Sequence, residues 1–176
     1  MMPTVNKYSY KEIQKFSQSR IAVFIMLIVV VPLFISTYMV INQEDAESSE
    51  IIVSSIIGIV TVSLILFLLF LTRLEVFLGT DAIEHRFFPF QIKFRKLLYT
   101  DIREYSSRKY SPILEYGGWG IRYAFKNGWA YNVSGNKGVQ IVKNDGKRIL
   151  FGTQNPDEFF LKLDTIMKKM KKVLND

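Results

Sequence analysis

Two charge-free stretches of 21 residues, 21–41 (IAVFIMLIVVVPLFISTYMVI) and 51–71 (IIVSSIIGIVTVSLILFLLFL), restrict this chain more than any other feature. At ~1.5 Å rise per residue each makes a helix of about 31 Å, matching a hydrocarbon core of ~30 Å. Backbone groups in lipid must be satisfied within the segment, so both stretches are expected to be transmembrane helices. The first is longer than the ~7–15-residue apolar region of a signal peptide and lacks a small-residue cleavage motif after it, so it reads as a retained anchor. Pro32, near its middle, is expected only to kink it.

The flanks set an orientation. Lys7, Lys11, Lys15 and Arg20 precede the first span against Glu12 alone, whereas residues 42–50 (NQEDAESSE) carry four acids and no base. The positive-inside rule places both termini in the cytoplasm and the acidic loop 42–50 outside, giving a multi-pass hairpin in the cell membrane. Residues 73–176 hold 19 Lys and Arg against 11 Asp and Glu, a net of +8. That excess faces the inner leaflet, whose anionic lipids attract near-surface cations by roughly 1 kcal/mol each. A basic cytoplasmic domain is equally the ordinary condition of such proteins. The chain contains no cysteine, which excludes disulfides and thiolate chemistry.

Outside the spans the pattern changes. In the first 20 residues, Ser9 stands three before Glu12, a capping-box spacing, and Tyr10, Ile13 and Phe16 share one helical face. Residues 1–20 are therefore expected to hold an interfacial amphipathic helix. From Arg73 short alternating segments separated by turn residues predict antiparallel strands. Gly79-Thr80-Asp81 and Asn144-Asp145-Gly146 mark tight turns, and Asn127-Gly128 is the dipeptide of a two-residue hairpin loop. In GWGIRYAFK, Trp119, Ile121, Tyr123 and Phe125 fall on one side; in WAYNV, Trp129, Tyr131 and Val133 are expected to point inward. A final helix starts at Asn155-Pro156-Asp157-Glu158, with Phe159, Phe160, Leu163, Met167, Met170 and Leu174 as its apolar stripe. Lys168, Lys169, Lys171 and Lys172 crowd its C-terminal end.

The segments RFFPF, KYSP, EYGGWGIRY, AYNVSGNKGVQ and GTQNPDEF resemble an uncharacterised bacterial membrane-protein family that joins two transmembrane helices to a C-terminal PH-like (pleckstrin-homology-like) domain. The resemblance covers essentially the whole chain. It implies an α+β fold: a two-helix transmembrane hairpin followed by a PH-like antiparallel β-barrel of about seven strands capped by a C-terminal α-helix. The expected division is 1–20 interfacial helix, 21–41 first span, 42–50 loop, 51–72 second span and 73–176 cytoplasmic domain. The resemblance brings no catalytic residue. The basic first hairpin of phosphoinositide-binding relatives is replaced here by Gly79-Thr80-Asp81, with an acid at its tip.

The glycine-rich segment 115–140 (EYGGWGIRYAFKNGWAYNVSGNKGVQ) invites a phosphate-cradle reading that its spacing denies. Gly135-Asn136-Lys137-Gly138 is followed by strand rather than helix, and Gly118-Trp119-Gly120 has Tyr123 where a third dinucleotide glycine belongs. The G-x-x-G of nucleic-acid-binding KH loops sits between helices, so no nucleic acid is expected as a partner. His85, the single histidine, alternates in phase with Ile83 and Phe87 and is expected to be half-buried in a sheet. No carboxylate pair or metal-ligand spacing accompanies it, so neither enzyme chemistry nor a metal or cofactor is expected. The glycines serve either sharp bends in a small sheet or a contact loop. The candidate contact surface, for anionic lipid head groups of the bilayer or another membrane protein, comprises Ile113, Leu114, Tyr116, Trp119, Arg122, Lys168, Lys169, Lys171 and Lys172. Gly58 with Ser54, Ser55, Thr61 and Ser63 offers the second span a small-residue packing face.

Overall fold

The computed structural model of the chain describes residues 7–42 and 48–175. The chain divides into two compact units, residues 15–72 and a second built from the residues up to Gln14 together with Arg73–Asp176.

The first unit contains a short 3-10 turn, Phe16–Gln18, and two long helices, α1 (Arg20–Ile41) and α2 (Ser48–Leu71). Ser19 caps α1 by accepting a hydrogen bond from the Ala22 N–H at 3.2 Å. Windows of 20 and 23 residues in these helices are long and apolar enough to cross a membrane. Their large side chains, Phe24, Phe34, Tyr38 and Phe70 among them, are exposed, which water does not favour and lipid does. The hydroxyls of Ser54 and Thr61 bond back to the carbonyls of Ile51 and Ile57 and so are satisfied within the helix. Helix α2 starts three residues before the predicted span, and residues 43–47, the centre of the predicted acidic loop, lie outside the described residues.

Among its described residues the second unit has nine strands in two sheets and a C-terminal helix. The first sheet runs β1 (Tyr10–Lys15), β2 (Arg73–Leu78), β3 (Ala82–Phe88), β4 (Arg95–Leu98) in spatial order. The second comprises β5 (Ile102–Lys109), β6 (Gly120–Ala124), β7 (Gly128–Asn132), β8 (Lys137–Lys143) and β9 (Arg148–Gly152), in the order β5-β8-β9-β7-β6. Between β5 and β6 lies a one-turn helix, α3 (Pro112–Tyr116), and the chain closes with α4 (Pro156–Asn175). The unit is thus α+β.

Side chains of both sheets and of α4 meet in one core. His85 of β3 lies 4.8 Å from the Tyr131 ring and 4.9 Å from Phe151, and Tyr10 of β1 stacks 5.2 Å from Phe159 of α4. Phe159 and Leu163 are fully buried, and Met167 nearly so, as the apolar stripe predicted. The opposite face of the second sheet is also covered, by Tyr110, Tyr116, Ala130 and Leu150.

Four expectations are corrected. Tyr10–Lys15 is a strand, not part of an interfacial helix, and its burial alternates with period two: Tyr10, Glu12 and Gln14 inside, Lys11, Ile13 and Lys15 outside. The capping-box spacing was coincidental because Glu12 bonds to distant partners rather than to a helix start. Among the described residues, 73–176 holds eight strands where about seven are expected, and with β1 they form two sheets in which β7 and β9 pair in parallel rather than antiparallel. The β6–β7 connection has three residues, with Ala124 opposite Gly128. Gly128 alone takes positive φ there, and a Cβ on it would collide with the Arg148 carbonyl oxygen. Lastly, the stretch before Trp119 is not loop throughout. Ser111 accepts from the Leu114 N–H, Pro112 opens the turn and Gly117, left-handed at φ 72°, closes it as α3.

Candidate functional site

The predicted contact residues do not form one surface. Tyr116 is buried at 5% exposure, its ring edge-on to Tyr110, because α3 turns it onto the outer face of the second sheet. Burial pushes its hydroxyl pKa up. Ile113 and Leu114, on the same short helix, point outward. Trp119 is partly covered and donates its indole N–H to the Gly135 carbonyl at 3.1 Å; Arg122 donates to the Trp119 carbonyl at 2.9 Å. These bonds bring Trp119 and Arg122 together as a brace between two turns. The lysines of α4 are exposed on another element, with Lys168 paired to Asp164 at 2.7 Å.

A different surface combines the chemistry of a binding site. Along the inner face of the second sheet, aromatic rings follow one another from core to solvent. Phe151 and Tyr131 stack at 5.8 Å, Tyr131 and Trp129 at 6.5 Å, and Trp129 meets Tyr123 at 5.2 Å. Tyr131 is buried, whereas Trp129 is 42% and Tyr123 58% exposed. The inward phase predicted for Trp129 is therefore that of the core, but the β6–β7 hairpin extends past what covers that core. Phe125, expected to share this side, instead occupies the turn and is 97% exposed.

Cations surround this aromatic end. Tyr123, Phe125 and Trp129 line a cleft of about 580 Å³ with Lys126, Asp145, Lys147 and Arg148. Lys147 pairs with Asp145 at 3.0 Å, and its side-chain and backbone hydrogen bonds hold that carboxyl below its usual range. Among the described residues, Lys126 and Arg148 have no carboxylate partner; Arg148 donates to the Lys126 carbonyl at 3.4 Å. Trp, Tyr and Arg are the side chains that dominate binding hot spots. The cleft can take a flat or extended apolar group against the rings and an anion beside Lys126 and Arg148. Sequence reasoning missed it because strand alternation was carried through Phe125; the signal was the β9 tip residue Arg148, which the parallel pairing brings alongside.

His85 is 4% exposed, and neither ring nitrogen has a hydrogen-bond partner. Burial, with a smaller contribution from Arg95, lowers its pKa to about 4, so it is a neutral core ring at physiological pH. This is deeper burial than the half-buried position predicted. Among the described residues no three His, Asp or Glu side chains gather as a metal site requires.

A second polar cluster lies at the other strand ends. The Glu12 carboxylate accepts from Tyr10 Oη (2.7 Å), Thr153 Oγ1 (2.6 Å), the Gln154 N–H (2.8 Å) and Gln14 Nε2 (3.1 Å). Gln14 also donates to the Gly152 carbonyl at 2.7 Å. Donors saturate both carboxylate oxygens and no approach for a ligand remains, so its work is to fix β1 against the end of β9. Set against family models, curated proteins and solved structures, the chain finds no match.

Proposed function

We propose that this chain is a multi-pass membrane protein with both termini in the cytoplasm, whose β-rich unit is a binding module held at the membrane by α1 and α2. Support comes from the two long apolar helices and the flanking charges. The order of strands followed by a packed C-terminal helix favours a PH-like relationship, with β1 and the parallel β7–β9 pair as departures from it. The module binds an acidic, aromatic-bearing segment of a partner protein in the cleft of Tyr123, Phe125, Trp129, Lys126 and Arg148. One observation carries this reading: the aromatic row of the core continues uncovered into a cleft with two cations that have no carboxylate partner among the described residues.

Photo-crosslinking of the full chain in native membranes tests it. A benzophenone side chain at Tyr123 is expected to give a discrete adduct that Lys126→Glu with Arg148→Glu abolishes. Equal adducts from Leu161 on α4, itself 63% exposed, would falsify a specific cleft.

A second reading, a subunit of a larger membrane assembly joined through the helical hairpin, is favoured by a separate observation. A groove of about 350 Å³ runs between α1 and α2, lined by Val30, Phe34, Thr37, Ser55, Gly58 and Ser63 among others. A Cβ on Gly58 would meet nothing within 4 Å, so that glycine is not needed for packing of α1 on α2. Small residues of this kind admit close approach by another helix. Disulfide trapping from Gly58→Cys in native membranes distinguishes the two: persistence of monomer alone defeats the assembly reading.

A further inference from the structure

The loop 89–94 between β3 and β4 presents an exposed apolar pair outside the long helices that the binding reading leaves unused. Phe90 is 68% and Ile92 73% exposed. Neither is loose, because the loop around them is clamped. The Gln91 N–H donates to the Phe87 carbonyl at 2.7 Å, and the Gln91 side-chain oxygen accepts from the Phe87 N–H at 3.3 Å. Arg86 donates to the Ile92 carbonyl at 3.3 Å and lies 4.4 Å over the Phe94 ring, which itself rests 5.4 Å from Phe77. The sheet thus holds Phe94 and Gln91 down while Phe90 and Ile92 are held out. A chain that only needed to connect two strands would not build that arrangement around two bare hydrophobes.

Their charge setting is one-sided. Residues 86–98 include Arg86, Lys93, Arg95 and Lys96 and no acid. Arg86 is committed to Glu75 at 2.9 Å and Lys96 to Glu84 at 3.3 Å, which leaves Lys93 and Arg95 without a carboxylate partner among the described residues. Apolar side chains flanked by cations are the composition of segments that rest in the head-group region of anionic membranes.

Chain geometry supplies the position. In the β2–β3 register Phe88 is opposite Arg73, and Arg73 follows the last residue of α2, Leu71, by two positions. Two peptide units reach at most ~7.6 Å, and a cross-strand neighbour lies about 5 Å away, so the Phe88 Cα is within about 13 Å of the Leu71 Cα whatever angle the chain takes between them. The loop starts at the next residue. The chain itself therefore tethers the start of this loop close to the end of α2, within reach of the surface of a bilayer that α2 spans.

We propose that loop 89–94 is a membrane-contact element, with Phe90 and Ile92 seated at the acyl boundary of the cytoplasmic leaflet and Lys93 and Arg95 among the lipid phosphates. The occupant is the lipid surface itself, and the proposal rests on the reading that α2 spans the membrane. The contact adds a third attachment to the two helical tethers, and it uses none of the residues that line the Trp129 cleft.

The absence of cysteine makes a direct test available. Single variants Phe90→Cys, Ile92→Cys, Phe125→Cys and Ile59→Cys of the full chain are labelled with an environment-sensitive fluorophore. They are reconstituted in vesicles of phosphatidylcholine and phosphatidylglycerol carrying nitroxide quenchers at either the head group or the deep acyl chain. The expected result is loss of most fluorescence at positions 90 and 92 to the shallow quencher, loss at 59 to the deep one, and none at 125. Quenching at 59 with positions 90 and 92 as bright as 125 overturns the loop contact alone. An unquenched 59 overturns the spanning helix, and the loop contact falls with it; the two failures give different patterns.

Discussion

The two ends of the β-rich unit solve opposite problems. At the end where the chain enters through β1 and β2, a carboxylate and an amide are buried and every oxygen of Glu12 has a donor. At the other end, where the β6–β7 and β8–β9 turns lie together, an aromatic row runs out of the core into solvent with two unmatched cations beside it. Burying a charged group is costly unless it is fully hydrogen-bonded, so the first end is a structural commitment. Leaving rings exposed forgoes about 25 cal/mol per Å² of apolar surface, which a partner in the proposed cleft would recover. Among the described residues the Gln14 side-chain oxygen is the one buried side-chain group at the first end without a partner; the matched Glu12 carboxylate still points to structure, whereas the uncovered rings point to recognition.

Removing the Glu12 carboxylate should produce the largest effect. Glu12→Ala strands the Tyr10 and Thr153 hydroxyls and the Gln154 N–H in a buried site, each costing about 1–3 kcal/mol, with partial relief because Tyr10 and Thr153 lie 3.5 Å apart. A loss of about 3 kcal/mol is expected in urea unfolding of the detergent-solubilised chain, followed by the fluorescence of Trp119 and Trp129. A loss below ~0.5 kcal/mol, the scale of an ordinary surface change, would remove the distinction between the ends.

His85, packed on Tyr131 and Phe151 at the core end of the aromatic row, gives a comparable effect that depends on pH. Its folded pKa is lowered to about 4, whereas an unfolded histidine titrates near ~6.5. The unfolded state therefore binds the proton first as pH falls. Stability from this group is fully present above about pH 6.5 and declines toward pH 4, by about 3 kcal/mol at ~1.36 kcal/mol per unit. His85→Phe keeps a ring against Tyr131 and Phe151 and removes the titration. The stability difference between the variant and the parent should widen by about that amount between neutral pH and pH 4; a constant difference would show that the ring is solvated.

How much of this was legible in the sequence follows the range of the interactions involved. The long helices, the β2–β3 and β8–β9 hairpins and the buried face of α4 depend on neighbours a few residues away, and local periodicity reveals them. Strand β1 was hidden because its inward positions are polar: Glu12 is matched by Thr153, 141 residues distant, and no local pattern records that. The pairing of β9 with β7 has the same character, and it is what carries Arg148 to the aromatic tip. Tyr116 was misassigned to the contact surface because one turn of helix, set by Ser111 and Gly117, reverses its direction. What remained out of reach at the candidate site was therefore its assembly from separate turns, while each aromatic and basic component was plain in the sequence.

The smallest effect on stability is also the sharpest on the comparison. Phe90 and Phe125 are the exposed phenylalanines at opposite ends of the unit, at 68% and 97%. Since neither ring is packed in the core, serine at either position should change unfolding free energy by no more than about 0.5 kcal/mol. Their other consequences must then diverge. Phe125→Ser should weaken the adduct formed from Tyr123 and leave the quenching of a label at Ile92 intact; Phe90→Ser should reduce that quenching and leave the adduct intact. If both substitutions alter both readouts alike, the two ends are one coupled surface, and the division of labour between a membrane-facing loop and a partner-facing cleft is lost. Divergence without any change in stability assigns the two rings to two contacts, since the one ring neighbour of Phe90 among the described residues, Phe87 at 6.2 Å, is too slight a contact to explain it.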